Sequence, residues 1–328
     1  MKMKSKNPPF EITEKILSDV AEIAELAGKI GSTERLSANP TLRKTNRIKT
    51  IHGSLAIEQN TLSIEQITAV LNGKKIIAPP KDIAEVKNAY EIYEHMDMLD
   101  PYSIESLLAA HGVMMRGLVD EAGELRSRPV GVVNGGGKII HFGTLPAYVP
   151  DALENLMNWT KRSELPLLIK SCVFHYEFEL IHPFIDGNGR VGRLWHTLLL
   201  SKWNALFAWL PVESIIHDRQ NEYYEAINSS NEAGESTEFI EFMLEAIKAA
   251  LVEAAETENA ASRKPLSEER KWKAAEKYLQ KNGKIQNSDI CKLLKVSPST
   301  ANRLLGSWVQ GGRLERFRDG TVWKYRAK

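Results

Sequence analysis

Cysteine and long apolar runs are both scarce in this chain, and each shortage excludes a class of protein. Among 328 residues only Cys172 and Cys291 are cysteines, too few for a disulfide framework or a thiolate metal centre. The longest apolar runs, such as AALVEAA and LWHTLLL, fall well short of the roughly 18 residues that would predict a membrane span. The basic N-terminus is followed by no apolar segment, so we predict no secretory signal. We therefore expect a cytoplasmic protein with no membrane partner.

The small net charge of +1 conceals two segments of opposite charge. Residues 263–328 contain 17 Lys and Arg against 6 Asp and Glu, about +11, which leaves about −10 for residues 1–262. The change falls in EAAETENAASRKPLSEER, where a helical pattern gives way to small and polar residues followed by Pro265. Because the length also favours more than one domain, we predict a linker here.

Most of the acidic segment is predicted to be helical. Sequences such as EKILSDVAEIAELAGKI and DIAEVKNAYEIYEHM repeat apolar residues at spacings of three and four, which gives a helix one buried face. The segment RSRPVGVVNGGGKIIHFG differs, because β-branched residues flank a glycine-rich turn, and this predicts a β-hairpin. Its NGGGK resembles a phosphate-binding loop but lacks the first glycine and the Ser or Thr after lysine. We assign it to the turn.

The sequence IHPFIDGNGRVGR, at residues 181–193, combines ionisable and glycine residues in a short segment. His182 stands before Pro183, a position disfavoured in a helix, so the preceding helix should end there. Gly187 and Gly189 let the backbone approach a ligand closely, and successive N–H groups of such a loop bind anions. A following helix, with helical periodicity in RVGRLWHTLLLSKW, would add its positive N-terminal end to the loop.

Charged side chains complete this candidate site. Arg190 and Arg193 are three residues apart and share one face at the start of the helix, which predicts a polyphosphate site. A single carboxylate such as Asp186, together with phosphate oxygens, is typical of Mg²⁺ binding. His182 can accept a proton near neutral pH. Taken separately, the histidine is more often a capping or core residue and DGNG more often a turn, but a simple turn needs neither His182 nor Arg193.

The segment as a whole resembles the signature of the Fic family, HxFx(D/E)GNGRxxR. Every fixed position is matched, by His182, Phe184, Asp186, Gly187, Asn188, Gly189, Arg190 and Arg193. The resemblance extends over about residues 51–250. It implies a helical fold and the transfer of AMP from ATP to a Ser, Thr or Tyr hydroxyl of a protein, with release of pyrophosphate.

The resemblance also implies roles for individual residues. His182 would deprotonate the target hydroxyl, Asp186 would hold Mg²⁺ and Arg193 would bind the γ-phosphate. The α- and β-phosphates would be bound by the loop amides and by Gly187, Asn188, Gly189 and Arg190.

Two further segments are similar to parts of the family. The hairpin corresponds to a flap that holds a target segment through backbone pairing. The flap residues are Val130, Gly131, Val132 and Val133. Tyr223 and Tyr224, in RQNEYYEAI, correspond to the segment that stacks on adenine, although adjacent aromatic residues on a helix are as often core packing.

The sequence SLAIEQN, at residues 54–60, resembles the inhibitory helix pattern (S/T)xxxE(G/N) of the family. The resemblance implies that Glu58 pairs with Arg193 and occupies the place of the γ-phosphate, so that ATP binds unproductively. Gln59 stands where Gly or Asn is expected, and Asn60 follows one residue later. This departure leaves the helix register open, and the alternative is a solvated helix glutamate.

The basic segment predicts a winged helix-turn-helix. SEERKWKAAEKYLQ, SDICKLLK and SPSTANRLLGSWVQGG predict three helices, the third capped by Ser297 before Pro298. RLERFRDGTVWKYRAK then predicts a hairpin around Asp319 and Gly320. Many such modules bind proteins, but the positive charge favours DNA. The predicted DNA contacts are Ser299, Thr300, Asn302, Arg303, Arg316 and Arg318.

We therefore predict a mainly α protein: a Fic-type helical bundle with a β-hairpin flap, followed by a small winged helix-turn-helix domain. The predicted parts are an N-terminal helical region with the inhibitory helix at 1–100, a catalytic core at 101–255, a linker at 256–268 and the winged helix at 269–328. Three functions compete: transfer of AMP, transfer of another nucleotide such as UMP, and DNA-binding regulation with a silent enzyme core. Family members are often dimers, which makes a homodimer one expectation.

Overall fold

Helices dominate the computed structural model, which describes residues 7–31, 39–133, 139–262, 268–294, 296–319 and 322–328. The chain divides into two compact units, Met1–Glu256 and Thr257–Lys328. The prediction of a mainly α fold is confirmed. Among the described residues, no helix has the length and apolar character needed to cross a bilayer.

The helices that begin in the first unit are connected mostly by short loops. In chain order they are α1 (Glu14–Gly31), α2 (Pro40–Ile57), α3 (Ile64–Leu71), α4 (Pro80–Glu94), α5 (Ile104–Met114), α6 (Val149–Arg162), α7 (Leu167–Ile181), α8 (Asn188–Trp203), α9 (Val212–Asp218), α10 (Gln220–Ala233) and α11 (Thr237–Ser262). Short 3₁₀ turns are Met96–Met98, Pro146–Tyr148 and Ala205–Trp209.

Local sequence explains where several of these helices begin. The Asn39 side chain accepts the N–H groups of Thr41 and Leu42, which have no partner inside α2. At α3, Ser63 and Gln66 form a capping box. These caps fix α2 and α3 on either side of the segment that contains Glu58.

Helices α7 and α8 form the centre of the first unit. Neither has a polar face, and both contribute to two hydrophobic clusters: Cys172 of α7 packs with residues of α1 and α11, while Phe178 of α7 and Leu194 of α8 pack with residues of α2, α4 and α5. Burial on all sides makes a helix a rigid support. The loop between α7 and α8, residues 182–187, is therefore held at both ends by the core, and we call it the signature loop.

The predicted hairpin is confirmed in its strands. β1 (Gly131–Val133) and β2 (Ile139–Phe142) are antiparallel, with Gly131 opposite Phe142 and a change of register after Val132. The NGGGK turn that the sequence predicts between them lies outside the described residues.

The second unit has the predicted winged-helix order. Its elements are α12 (Glu268–Asn282), α13 (Asn287–Leu294), α14 (Pro298–Gln310), β3 (Leu314–Asp319) and β4 (Val322–Ala327). Leu305 and Trp308 of α14 pack with Leu314 and Tyr325 of the hairpin in a separate core. Of the residues predicted as a linker, those up to Ser262 continue α11, since the Ala- and Glu-rich sequence favours a helix.

Candidate active site

A cleft of about 260 Å³ opens beside the signature loop. Most of the site residues predicted in the first unit line it, although they come from four separate parts of the chain. These residues are Glu58, Gly131, His182, Asp186, Gly187, Asn188, Gly189, Arg193, Tyr223 and Tyr224. The structure thus brings together the predicted base, carboxylate, loop amides and inhibitory glutamate in one cavity.

His182 ends α7 in a left-handed conformation, with φ 51° and ψ 63°. Its Nδ1 lies 3.2 Å from the carbonyl oxygen of Glu179, so Nδ1 carries the proton and donates. This tautomer puts the basic lone pair on Nε2, the nitrogen that a general base at this position would use. The ring is therefore oriented before any substrate arrives.

Arg126 supports this strained turn, and the sequence analysis missed it. Its guanidinium donates to the carbonyl oxygens of His182 at 2.6 Å and Ile181 at 3.3 Å, and it also bonds the carbonyl of Thr144. Its backbone N–H donates to Pro183. A non-glycine residue in such a conformation costs on the order of 1–3 kcal/mol, so it needs surrounding bonds of this kind. The only sequence signal was an arginine in RSRP, at the start of the hairpin.

Asn188 closes the signature loop on itself. Its side chain accepts the N–H of Phe184 and donates to the carbonyl of Phe184, both at 2.9 Å. Phe184 is fully buried and stacks on His111 with ring centroids 3.7 Å apart. His111 accepts the N–H of Gly123 and donates to the carbonyl of Asp186 at 2.9 Å. The predicted phosphate contact of Asn188 is thereby reduced to its backbone N–H, because the amide group already has partners in the loop.

Arg190 lies behind the loop, and no part of it lines the cleft. Its side chain is 3% exposed, with Nη1 3.0 Å from Glu85 Oε1 and Nη2 2.8 Å from Asp186 Oδ1. The sequence predicts that Arg190 binds phosphate, whereas the structure shows it between two carboxylates. The spacing within the signature could not reveal this, because Glu85 is 105 residues away.

Asp186 presents a half-exposed carboxylate to the cleft, its side chain being 46% exposed. Among the described residues its bonds are to the Gly187 N–H and Arg190, both through Oδ1. No group of three His, Cys, Asp or Glu side chains in the described part of the chain could enclose a metal ion. A single accessible carboxylate beside loop amides fits Mg²⁺, which keeps several waters and takes other ligands from phosphates.

Arg193 and Glu58 form the predicted ion pair. Arg193 Nη2 lies 2.6 Å from Glu58 Oε1, and the arginine side chain is 2% exposed. Ser54 adds two bonds, since its hydroxyl accepts from Arg193 Nε at 3.1 Å and its carbonyl from Nη2 at 2.9 Å. A Cβ at Gly189 would overlap Glu58 Oε1. The carboxylate therefore fits directly against the signature because glycine stands there.

The backbone at Gln59 shows that the end of α2 keeps the helix register in which Glu58 faces Arg193. Glu58 caps α2, the Gln59 N–H donates to the Ala56 carbonyl and the Asn60 N–H donates to the Leu55 carbonyl. This is a Schellman motif, which requires a left-handed residue after the cap. Gln59 occupies that position with φ +66°. The motif explains why glycine or asparagine is expected there, and the glutamine leaves the register unchanged.

The two tyrosines differ in exposure. Tyr223 is 2% exposed, and its hydroxyl is 3.1 Å from His175 Nε2. Its ring packs against Phe239 and Phe242, as a core residue does. Tyr224 is 38% exposed at the edge of the cleft. The prediction that both rings stack on a base therefore narrows to Tyr224.

Comparisons with known proteins agree with this geometry. Residues 101–200 match a model described as the Fic/DOC family, and residues 273–323 match one described as FeoC like transcriptional regulator. A solved structure of a Fic family protein from Desulfovibrio desulfuricans is 39% identical, covers 98% of both chains and has a TM-score of 0.76. The chain belongs to the Fic family.

More distant relatives of this Fic protein carry a named activity. The protein adenylyltransferase fic-1 of Caenorhabditis elegans is 30% identical over 208 residues, which are 59% of this chain and 38% of the relative. The protein adenylyltransferase Fic of Drosophila grimshawi is 27% identical over 63% of this chain and 43% of its own. The chain thus spans less than half the length of these curated relatives. A solved fragment of Fic-1 from C. elegans, at 21% identity and a TM-score of 0.60, shares the fold.

The Fic cleft contains one more carboxylate, Glu179, which sequence reasoning did not select. Burial raises the pKa of Glu179 to about 7, while Arg193 opposes and Glu58 adds to the change. Its Oε1 is buried without a hydrogen-bond partner in the described structure, and Oε2 is 3.8 Å from His182 Nδ1. Such a carboxyl is protonated more easily than an exposed one. A glutamate three residues before the signature histidine was the available signal.

The predicted DNA contacts of the second unit are mostly at its surface. Ser299, Asn302 and Arg303 are exposed on α14, while Thr300 is half-buried near the capping Ser297. On the hairpin, the Arg316 and Arg318 guanidinium carbons lie 3.5 and 5.1 Å from the ring centroid of Trp323. Trp323 is itself 43% exposed. The unit therefore offers accessible basic and aromatic groups on its wing.

Proposed function

We propose that this protein transfers AMP from ATP to a Ser, Thr or Tyr hydroxyl of a protein and releases pyrophosphate. The observation that carries the proposal is the cleft in which His182, Asp186, the amides of Gly187 and Gly189, and Arg193 meet. Relatives named protein adenylyltransferase support the same activity. The target protein would be recognised by features outside this cavity.

The chemistry follows from the orientation of His182. Its Nε2 would accept the proton of the target hydroxyl as that oxygen attacks the α-phosphorus. The bond from the α-phosphorus to the bridging oxygen then breaks, and pyrophosphate leaves. The loop amides at the N-terminus of α8 would stabilise the charge on the phosphate oxygens. Asp186 would hold Mg²⁺, which when bound offsets the phosphate charge.

The hairpin would position the target. Gly131 lines the cleft, and the Val130 carbonyl accepts the N–H of Gly143, which ties the flap to the chain that precedes α6. A target segment added beside Val130–Val133 would be held by backbone hydrogen bonds, with little dependence on its side chains. The hydroxyl to be modified would then face His182.

Glu58 would inhibit the enzyme. Its carboxylate accepts a hydrogen bond from the guanidinium of Arg193, the group that would otherwise bind the γ-phosphate of ATP. Both groups are largely shielded from water, so salt screens this pair less than a surface pair. ATP would bind with its α-phosphate turned away from the flap while Glu58 stays in place.

Labelling with nucleotides tests the proposed function. Glu58→Gly protein is incubated with Mg²⁺, a cell lysate and either α-labelled ATP or α-labelled UTP, with the matched Glu58→Gly, His182→Ala double variant as control. We expect protein bands labelled from ATP that the control lacks. Labelling from UTP in preference to ATP would favour UMP transfer, and labelling equal to the control would contradict the proposal.

A second function, DNA binding, is proposed for the basic unit. The charge of about +11 over residues 263–328, the exposed contacts on α14 and the match to a regulator family support it. Affinity that falls steeply with salt, measured on random duplexes by fluorescence anisotropy, is the expected result. Salt-independent binding, or none, would favour a protein partner for this unit.

A further inference from the structure

A buried carboxylate outside the signature lies between the start of α8, which carries Arg190, and the turn after α2, which carries Asn60. Glu85 on α4 has a side chain only 4% exposed. Its Oε1 accepts from Arg190 Nη1 at 3.0 Å, and its Oε2 accepts from Asn60 Nδ2 at 2.8 Å. One carboxylate therefore contacts Arg190 of α8 through one oxygen and Asn60, at the end of residues 54–60, through the other.

Through its first oxygen, Glu85 changes the net charge around Asp186. Arg190 lies between Glu85 and Asp186, so these three groups together carry one net negative charge. Without Glu85, the guanidinium would neutralise Asp186 and weaken its attraction for a cation. Lys81 is 3.9 Å from Glu85 but 68% exposed, so water screens its charge. Glu85 thus offsets the positive charge of Arg190 and strengthens the attraction of the Asp186 site for a cation.

Through its second oxygen, Glu85 holds the turn that orients the Glu58 side chain. Besides Glu85, the Asn60 amide donates to the carbonyl of Asp82 at 3.2 Å and accepts the N–H of Leu62 at 3.1 Å. These bonds fix the orientation of the amide, because turning it over would break all three. Gln59, in its left-handed conformation, lies between Glu58 and this anchored residue. Holding Asn60 therefore holds the strained turn that aims Glu58 at Arg193.

We infer that Glu85 is a positioning residue for both segments: it offsets the positive charge of Arg190 beside Asp186 and keeps Glu58 in place through Asn60. The inference rests on the proposed function, because it concerns the same reaction and its inhibition. It also predicts that the two effects can be separated, since each depends on a different oxygen of one side chain.

The test compares Asn60→Ala and Glu85→Gln, each alone and combined with Glu58→Gly. Thr61→Val is the matched control, because it removes the neighbouring bond to Asp82 but no contact of Glu85. Asn60→Ala should raise the initial labelling rate several-fold alone and leave the Glu58→Gly rate unchanged. In the Glu58→Gly background, Glu85→Gln should raise the Mg²⁺ concentration for half-maximal labelling about tenfold, the usual size of an outer-partner effect.

Two readouts do not depend on transfer. Amide hydrogen exchange at the backbone N–H groups of residues 59 and 60 should accelerate in Asn60→Ala and Glu85→Gln but not in Thr61→Val. Mn²⁺ titration in the presence of ADP, followed by electron paramagnetic resonance, should show weaker binding in Glu85→Gln only. If Glu85→Gln does not fold, Glu85→Asp keeps the charge but shortens the reach, so exchange should change while Mn²⁺ affinity is kept.

The outcomes separate this inference from the proposed function. Unchanged exchange together with unchanged Mn²⁺ affinity in the Glu85 variants would overturn the inference, whether or not the protein labels a target. Exchange and Mn²⁺ affinity that respond as expected would support it, even if Glu58→Gly never labelled from ATP and the proposed function failed. A rise in labelling by Asn60→Ala that persists in the Glu58→Gly background would overturn the link to Glu58.

Discussion

The two units of the chain hold their candidate contact residues in opposite ways. Around the cleft, buried guanidinium groups are bonded to carboxylates, as Arg193 is to Glu58 and Arg190 is to Asp186. On the winged helix, Arg316 and Arg318 are exposed and stack on Trp323. A buried charged pair has no water to replace a lost partner, so its members respond to substitution as a group, whereas exposed side chains keep water as a partner and respond almost independently. Substitutions should therefore couple strongly in the first unit and weakly in the second.

The largest expected effect is a loss of labelling rate without a loss of ATP affinity in the cleft. In the Glu58→Gly background, His182→Ala should lower the labelling rate by about 10²–10⁴-fold, the usual contribution of a general base. Affinity for ATP, measured by calorimetry, should change little, because in the proposed mechanism the loop amides and Arg193 would hold the phosphates. A rate near that of the parent would remove His182 from the proposed role.

The next effect tests coupling between Glu58 and Arg193. Glu58→Gly should raise the labelling rate roughly tenfold to a hundredfold, the size of a coupling of about 1–3 kcal/mol. Adding Arg193→Ala should cancel the gain, because in the proposed mechanism the released guanidinium would bind the γ-phosphate. Initial rates of wild type, both single variants and the double variant form the cycle. Additive effects would contradict the comparison between the two units.

Glu179 gives a pH test of the same buried network. Its pKa rises from an ordinary 4.5 to about 7 on folding, mainly through burial. The folded protein therefore binds this proton more tightly than the unfolded chain, and wild-type stability falls as pH rises from about 4.5 to about 7. Glu179→Gln should remove that loss. The variant should therefore gain stability relative to wild type, and this gain in the free energy of unfolding should be about 1–3 kcal/mol larger at pH 8 than at pH 4.5. Urea unfolding of both proteins at both pH values measures this gain. A gain of equal size at the two pH values would exclude Glu179 as the source of the pH dependence.

On the winged helix we expect near-additive effects. Arg316→Ala and Arg318→Ala should each weaken DNA binding uniformly across sequences and lower the salt slope by about one, and the double variant by about two. Anisotropy titrations at several salt concentrations give both numbers. A double variant no weaker than either single variant would indicate that the two arginines act through one contact with Trp323.

The sequence predicted features that depend on neighbouring residues, but it did not predict contacts between residues far apart in the chain. Helix ends, the hairpin and the signature loop depend on neighbouring residues, so His182 at the end of α7 and Ser297 at the start of α14 were predictable. The partners of Arg190 and His182 were not. Glu85 and Arg126 lie 105 and 56 residues from them, and no local pattern links such distances. Tyr223 and Tyr224 show the same limit, because adjacent residues on one helix differ in burial only through tertiary packing.

The smallest expected effect tests backbone strain at Gln59, next to Glu58. Gln59 has φ +66° at a position where glycine has no steric penalty. Gln59→Gly should relieve this strain, partly offset by the greater freedom of glycine in the unfolded chain, for a net gain of about 0.5–1 kcal/mol. Because the relaxed Schellman motif still aims Glu58 at Arg193, the labelling rate should stay at or below that of wild type. Urea unfolding and labelling are measured together, with Gln59→Ala as the control that keeps the strain. A higher rate in Gln59→Gly would mean that the strained glutamine itself holds Glu58 in place.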